Sequence, residues 1–530
     1  MMKRKLFLSV CITTCLATGM MSGCNNSDVA TDIEHKDFGS YPISTDQTLS
    51  YWMPMNPNIS TKYANMGETP FGKELEERTG IKVEYIHPVS GQEEQSLSLL
   101  IASDELPDIV EYGWTNYMSG PAKSISEGTI RSLNELIKEY APNLTAYLEN
   151  NKDIDKMIKT DDGDYYVFPF IRGDKLLSRS QGLMLREDWL KELNLEIPET
   201  VDELENVLMT FKEKKNLDAA FTFRPNNMGD ALNLFGATAG FYVEDGKVKF
   251  GPIEENYKTA LMKLHDWYES GILDNNFLSV DQKILDASVL NDRVGAVLAG
   301  GGGDLGKWYD TTEKSGKKFQ LVGVPDLKDS KGGKYLFHTV MPYYPGNNSC
   351  AISGRSKNPE LAAKFLDYAY SEEGHMLYNF GVEGDTYTMN NGTPEYTEKI
   401  TNNKDGLTMT QAMAENFRSS WSGPFVQDKN YILGYYYRPA QRESLDNWIK
   451  SYDTVISMQF PNVSYTNDES SDYTNIMLDI NKYVDEKRAE FIIGTRSFDE
   501  WDSFISEINR LNIDKAIKIN QDAMERYNNR

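Results

Sequence analysis

Cysteine is scarce in this 530-residue chain, which holds only Cys11, Cys15, Cys24 and Cys350. Three of the four stand at or before residue 24, so the rest of the chain keeps a single thiol. That excludes an intramolecular disulfide framework or a cysteine metal cluster there. Histidine is nearly as sparse. His35, His87, His265, His338 and His375 are scattered, with neither an HExxH pair nor a triad-like signature among them. Positive charge is also short: 55 Lys and Arg against 80 Asp and Glu leave a formal net charge of −25. Nucleic-acid binding and a basic membrane-surface domain both need clustered cations, so this balance argues against them. It does not exclude an acidic ligand, because a local pair of arginines can take a carboxylate whatever the overall charge.

A long apolar run occurs at the amino terminus. Lys3, Arg4 and Lys5 precede the mostly apolar stretch 6–21, which is roughly half to three quarters of what a membrane-spanning helix needs. Residues 1–23 therefore read as a signal peptide and not as an anchor helix. Ser22-Gly23-Cys24 closes the stretch and resembles the bacterial lipobox, in which the cysteine is acylated and becomes the first mature residue. The resemblance implies a lipid on Cys24 and a protein held on the outer side of the cytoplasmic membrane. Residues 24–45, rich in Ser, Asp, Thr and Asn, read as a lipidated flexible tether.

Behind the tether, strands and helices alternate. Residues 48–53 read as a strand, and Pro54, Asn56 and Pro57 force a loop after it. A helix follows over 70–77, stopped by Gly80, and the strand 81–86 comes next. A second helix over 93–103 leads to a strand over 106–110, which the aromatic loop 111–117 leaves. This order predicts βαβ units in a parallel sheet, whose ligands lie beyond the carboxyl ends of the strands. The loops carrying Tyr51-Trp52 and Tyr112 to Trp114 fall there.

Several stretches resemble the extracellular solute-binding proteins of carbohydrate ABC importers (family 1 of the solute-binding proteins). TPFGKELEERTGIKVEYIHP followed by ASDELPDIV is similar to their opening. DDGDYYVFP at 161–169 is similar to the segment where the chain first passes between lobes, and REDWL at 186–190 with IPET at 197–200 to the helix pair that opens the second lobe. Asn358-Pro359-Glu360 with LAAKFLDYAYSEEGHMLYNFGVEGDTYTM matches a family signature. The tail FIIGTRSFDEWDSFISEINRLNIDKAIKINQDAMERY resembles the long lipoprotein branch that includes alginate-oligosaccharide-binding proteins.

The resemblance implies an α/β chain with the two-lobed periplasmic-binding-protein type II fold, each lobe a mostly parallel sheet flanked by helices. It places residues 46–168 plus 326–380 in the N-terminal lobe and 172–320 plus 388–530 in the C-terminal lobe. Passages between the lobes fall near 169–174, 322–325 and 381–389. It also implies an oligosaccharide ligand held in the interlobe cleft, closure on that ligand, and docking on the permease subunits of an ABC importer. A monomer is expected, with no nucleic acid, no cofactor and no metal.

Sugars offer flat C–H patches rimmed by hydroxyls, so their sites pair aromatic faces with polar side chains. Trp52, Tyr112, Trp114, Tyr117, Trp308, Tyr344, Trp421 and Tyr436 sit in apparent loops beside Gly or Pro and are the aromatic candidates, with core packing as the alternative for each. Arg172 and Asp174 stand at the first passage, where the resemblance implies polar contacts to ligand; a solvated charge pair is the alternative. Asn56, in the first βα loop, is the last candidate, or else a turn asparagine between prolines. Trp189, Trp267, Trp448 and Trp501 lie in helical patterns and are assigned to the core.

Gly301 through Gly306-Lys307 reproduces P-loop spacing, but Trp308 stands where Ser or Thr must supply a hydroxyl to magnesium. The loop reads instead as backbone that approaches ligand and presents Trp308 to the cleft. Long relatives carry a calcium loop after the helix at 201–214; Lys214-Lys215-Asn216-Leu217-Asp218-Ala219-Ala220 lacks the alternating oxygen ligands calcium requires. No catalytic residue is assigned. Two other readings stay open: an all-helical surface glycan-binding lipoprotein of the starch-utilisation kind, and a polysaccharide-degrading lipoprotein enzyme.

Overall fold

Thr69 opens the first long helix by accepting the Gly72 backbone N–H on its hydroxyl at 3.0 Å. Pro70 occupies the first helical position, and Gly80 stops the helix at a φ of 70°. Local chemistry therefore fixes both ends of Pro70–Thr79. The structure, a computed structural model, describes residues 36–530 apart from Asn116, Met118, Ser119, Pro345 and Asn347. Cys24, the signal peptide and most of the tether lie outside the described residues. The chain divides into residues 1–38 and Gly39–Arg530; all features below belong to the second unit.

The first sheet contains β1 (Thr48–Trp52), β2 (Lys82–Ile86), β3 (Ile109–Tyr112) and the strand Ser349–Ile352, ordered 349–352, β3, β1, β2. β1 pairs parallel with both β2 and β3, as βαβ units require, and only 349–352 runs antiparallel. Each of these predicted strands is present, with no end moved by more than three residues.

The second sheet is ordered 321–323, 181–186, 296–300, 221–222. Here the expectation of a mostly parallel sheet needs correction. Gln181–Arg186 is antiparallel to both of its neighbours, and only 221–222 pairs parallel with 296–300. The strands 296–300 and 321–323, joined by the helix Lys307–Ser315, form a parallel crossover with a space between them. Gln181–Arg186, arriving from the other sheet, fills that space in the opposite sense. Beneath this sheet lies a large apolar cluster. It gathers Trp189, Phe211, Trp267 and Leu298 with Ile480, Phe491, Trp501 and Phe504 from the C-terminal helices. Trp189, Trp267, Trp448 and Trp501 are all buried, as their helical patterns predicted. Two four-stranded sheets exclude the all-helical architecture.

Two further expectations change. Residues 39–45 are no free tether: the Ile43 N–H donates to the Thr79 carbonyl at 2.8 Å, and Tyr41 sets its edge on Tyr368 with ring centroids 5.1 Å apart. Ile43 is an apolar residue in a polar run, and burying it gains more than leaving it in water. The third passage also moves. Instead of leaving near 381–389, the chain stays against the first sheet through Glu415, which receives Lys62 Nζ at 2.7 Å, and Arg418, which reaches Glu111. It crosses only with 426–436, where Tyr436 arrives on the glycine turn of the second sheet.

Candidate functional site

The carboxyl ends of β1 and β3 carry one continuous aromatic group. Trp52 meets Tyr112 at 6.3 Å between centroids; Tyr112 meets Trp114 at 6.1 Å and Tyr117 at 6.2 Å; Trp114 meets Tyr117 at 5.7 Å. All four pairs are edge-to-face, the arrangement that aligns ring edges with the electron-rich faces of neighbours. Trp114 is buried and fixed by its indole N–H on the Val110 carbonyl at 3.3 Å. Trp52 is buried as well, yet its indole N–H has no acceptor among the described residues. Tyr112 and Tyr117 remain half exposed, with hydroxyls pushed up from their ordinary pKa chiefly by burial and so held as neutral donors. The first-sheet candidates are thus brought together.

A second group stands at the same end of the sheet. Tyr112 pairs in register with Ser349, whose hydroxyl accepts the Phe170 N–H at 3.0 Å, and Phe168 bridges Cys350 antiparallel. The segment 168–170 therefore continues the sheet beyond 349–352, parallel to β3, and Arg172 lies past its carboxyl end. There β4 (Ile171–Arg172) pairs parallel with Val426–Gln427, aligning Arg172 with Gln427. The guanidinium sits 5.3 Å from the Trp421 ring centre and 5.8 Å from that of Phe170. Trp421 is half-buried.

Arg172 is 5% exposed, and its Nε and Nη1 have no acceptor among the described residues. Among the described residues no carboxylate lies within ion-pair distance of it. Burial pushes its pKa down to about 10. Gln427 beside it is fully buried, with neither amide atom partnered among the described residues. Buried polar groups are nearly always hydrogen-bonded, so this concentration of unmet donors marks a place built to receive polar atoms.

The other candidates separate from these groups. Asn56 spends its side chain internally, accepting the Asn58 N–H at 3.0 Å and donating to the Ser419 carbonyl at 2.8 Å. It ties the loop after β1 to the segment bearing Trp421. Asp174 caps the short turn Lys175–Leu177 by accepting the Leu176 N–H at 2.9 Å. Tyr344 is fully buried against Tyr166, with hydroxyls 3.2 Å apart, and belongs to the packing.

Trp308 does not face a cleft. It lies wholly buried among Met184, Leu285, Val297 and Phe319, with its indole N–H on Asp286 Oδ1 at 2.8 Å. The glycine run explains the error. Gly301–Gly306 forms one π-helical turn that winds directly into Lys307–Ser315, and this phase turns Trp308 inward. The bare glycines receive tyrosines, not ligand. A Cβ on Gly301 would come 2.6 Å from the Tyr436 ring, and one on Gly302 would come 2.3 Å from that of Tyr435. Tyr436 is accordingly buried, its hydroxyl donating to the Ser180 carbonyl at 3.2 Å.

Sequence reasoning missed Gln427, whose placement rests on a pairing between distant segments. It also missed Arg418 and Glu111, a buried ion pair 2.7 Å apart behind the aromatic group. Along 214–220 the helix ends at Asn216 in a left-handed conformation, and the Asp218 carbonyl accepts from Lys212 Nζ at 3.4 Å.

The family model of the bacterial extracellular solute-binding proteins matches residues 64–376. The chain belongs to this family. It is 24% identical, over 99% of each chain, to the fructooligosaccharide ABC transporter substrate-binding protein FusA of Streptococcus pneumoniae. It is 25% identical to the polygalacturonan/rhamnogalacturonan-binding protein YtcQ of Bacillus subtilis, over 64% of this chain and 68% of that one. Among solved structures, the alginate-binding protein AlgQ2 without calcium ion superposes with a TM-score of 0.74 at 23% identity, covering 92% of this chain and 100% of AlgQ2. FusA in complex with kestose gives 0.72 at 22% identity, covering 91% and 99%. These likenesses establish the two-lobed type II binding-protein fold. Among the described residues of this family member, no helix is long and apolar enough to cross a membrane.

Proposed function

We propose that the chain is the lipid-anchored substrate-binding component of an ABC importer, which captures an oligosaccharide between its lobes and delivers it to a membrane permease. The observation that carries this reading is the convergence, at the carboxyl end of the first sheet, of a four-ring aromatic wall with Arg172, Trp421 and Gln427. Half-exposed Tyr112 and Tyr117 offer flat faces to sugar C–H groups, and the unmet donors beside them suit hydroxyl rims. Relatives named for fructooligosaccharide, polygalacturonan and alginate support an oligosaccharide over a single sugar. On this reading the N-terminal lobe takes 46–168 with the strand 349–352 and the chain that follows it through Arg418, and the C-terminal lobe takes 172–327 with the chain beyond 426–436. Ligand shifts an open and closed equilibrium of these lobes, and the closed form engages the permease. No turnover is part of this mechanism, and Cys24 supplies the anchor.

A thermal-shift screen of the soluble chain against defined oligosaccharides tests the reading. A ligand at one hundred times its Kd stabilises by about 2.7 kcal/mol and raises the melting temperature. Tyr112→Ala should lower affinity for whichever glycan shifts the protein. A panel that shifts nothing, or a glycan that is cleaved during the assay, sinks the proposal.

A further inference from the structure

Arg172 is an exception among the buried arginines, and the exception bears on the charge of the ligand. Arg186, 2% exposed, is held by Asp188 and Asp292; Arg418, 5% exposed, is held by Glu111. Arg172 is buried to the same degree, and none of the described residues offers it a carboxylate. Around it stand the rings of Phe170 and Trp421, which attract a cation but accept no hydrogen bond in the guanidinium plane. A guanidinium taken from water without a counter-charge is costly unless something charged replaces the water. The depressed pKa has the same origin, since burial dominates it.

The neighbouring residue completes the chemistry. Arg172 and Gln427 are partners in a parallel pairing, so their side chains emerge on the same face of the two strands. Gln427 adds a free amide N–H donor and a free carbonyl acceptor beside the guanidinium. A sugar hydroxyl alone would satisfy a donor or two and leave the positive charge unmatched. A carboxylate on a sugar ring matches the charge and takes planar N–H donors from the guanidinium, while the ring hydroxyl next to it meets both halves of the Gln427 amide. Trp421, half-buried, sets its ring centre 5.3 Å from the guanidinium, within reach of the same sugar.

We propose that Arg172 and Gln427 form a subsite for a carboxylate-bearing sugar residue, so that the captured solute is an acidic, uronate-type oligosaccharide. This rests on the oligosaccharide reading above. The lobes close with the acidic residue at the first passage between them, and ligand charge neutralises a hinge arginine.

Calorimetry with uronate trimers (galacturonate, mannuronate and guluronate), their carboxyl-reduced neutral counterparts and kestose separates this inference from the reading on which it rests. At least one uronate trimer should bind tenfold or more tightly than its reduced form, and less tightly as salt rises. Arg172→Gln should lose at least tenfold for that trimer and abolish its advantage over the reduced form. Arg172→Lys should keep part of the advantage, because charge survives without the planar fork. Gln427→Ala should weaken acidic and reduced trimers alike, and all variants should melt within a few degrees of the parent protein. Neutral trimers that bind as well as uronates, or an Arg172→Gln protein that keeps the acidic preference, overturn the subsite alone. If no oligosaccharide of either kind binds, the solute reading falls and takes the subsite with it.

Discussion

Arg418 donates through Nη2 to Glu111 Oε1 at 2.7 Å, with both side chains buried, and Tyr51 donates to the other carboxylate oxygen at 2.7 Å. Glu111 precedes Tyr112 of the aromatic wall, and Arg418 lies three residues before Trp421. The pair thus fastens the segment carrying one half of the site to the strand carrying the other. Breaking a buried pair by removing one partner leaves the remaining charge uncompensated, at a cost of about 3–5 kcal/mol. Arg418→Met should lower unfolding free energy by that order in urea titration and loosen ligand binding. Removing both charges with Glu111→Leu and Arg418→Met should recover a large part of the stability. A double variant no more stable than the single would show that the pair is not the source.

Gly301 tests whether the glycine turn faces ligand or packing. A methyl group there meets the Tyr436 ring at 2.6 Å in a buried setting. Overpacking of this kind costs about 1–3 kcal/mol, so Gly301→Ala should lower the melting temperature while the affinity of the folded protein stays within twofold. Lost affinity at unchanged stability would return the turn to the cleft.

His338 gives the molecule a pH-dependent stability. It is 2% exposed, with Nε2 2.7 Å from Arg179 Nη1 and 2.8 Å from Asp326 Oδ2. Burial, and then the Arg179 charge, hold its pKa well below 6.5. The unfolded chain therefore binds a proton below pH 6.5 that the folded chain refuses, and stability is lost as pH falls, with a slope of up to about 1.4 kcal/mol per pH unit for one group. Asp326 acts in the opposite sense: burial raises its pKa above 3.8, so the folded chain holds a proton there that the unfolded chain releases. Its contribution therefore opposes that of His338. Asp230 stands close enough to add to that upward push. Urea unfolding between pH 7.5 and 5.5 should show the decline, and His338→Gln should flatten it. Some slope should remain, because burial lowers His87 as well. Parallel curves for parent and variant would remove His338 as the cause.

What the sequence made legible was local. Thr69, Pro70 and Gly80 fix a helix without reference to the rest of the chain, and the loops after β1 and β3 place Trp52, Tyr112, Trp114 and Tyr117 together because βαβ units bring successive strand ends to one edge. Arg172 was legible through its position at the first passage. What escaped depends on segments far apart in the chain. Nothing near Gln427 points to Arg172, and the use of Gly301 and Gly302 is visible only once Tyr435 and Tyr436 arrive on them. Trp308 was misplaced by one turn of backbone: its face depends on whether the glycines are loop or π-helix, a distinction that composition does not carry.

Trp308→Ala now carries a prediction opposite to the one its sequence context suggests. A cleft tryptophan would lose affinity on truncation and leave stability nearly intact. A fully buried one removes a large side chain from close packing, which costs about 3–5 kcal/mol. It also strips a donor from Asp286, although Lys307 and Gln282 still hold that carboxylate. The urea midpoint should therefore drop sharply, while calorimetry on the fraction that remains folded should find ligand affinity within twofold of the parent. Trp308→Phe keeps most of the volume and should fall between the two. A variant with parental stability and weakened binding would put the indole back in the cleft, and with it the glycine turn beneath.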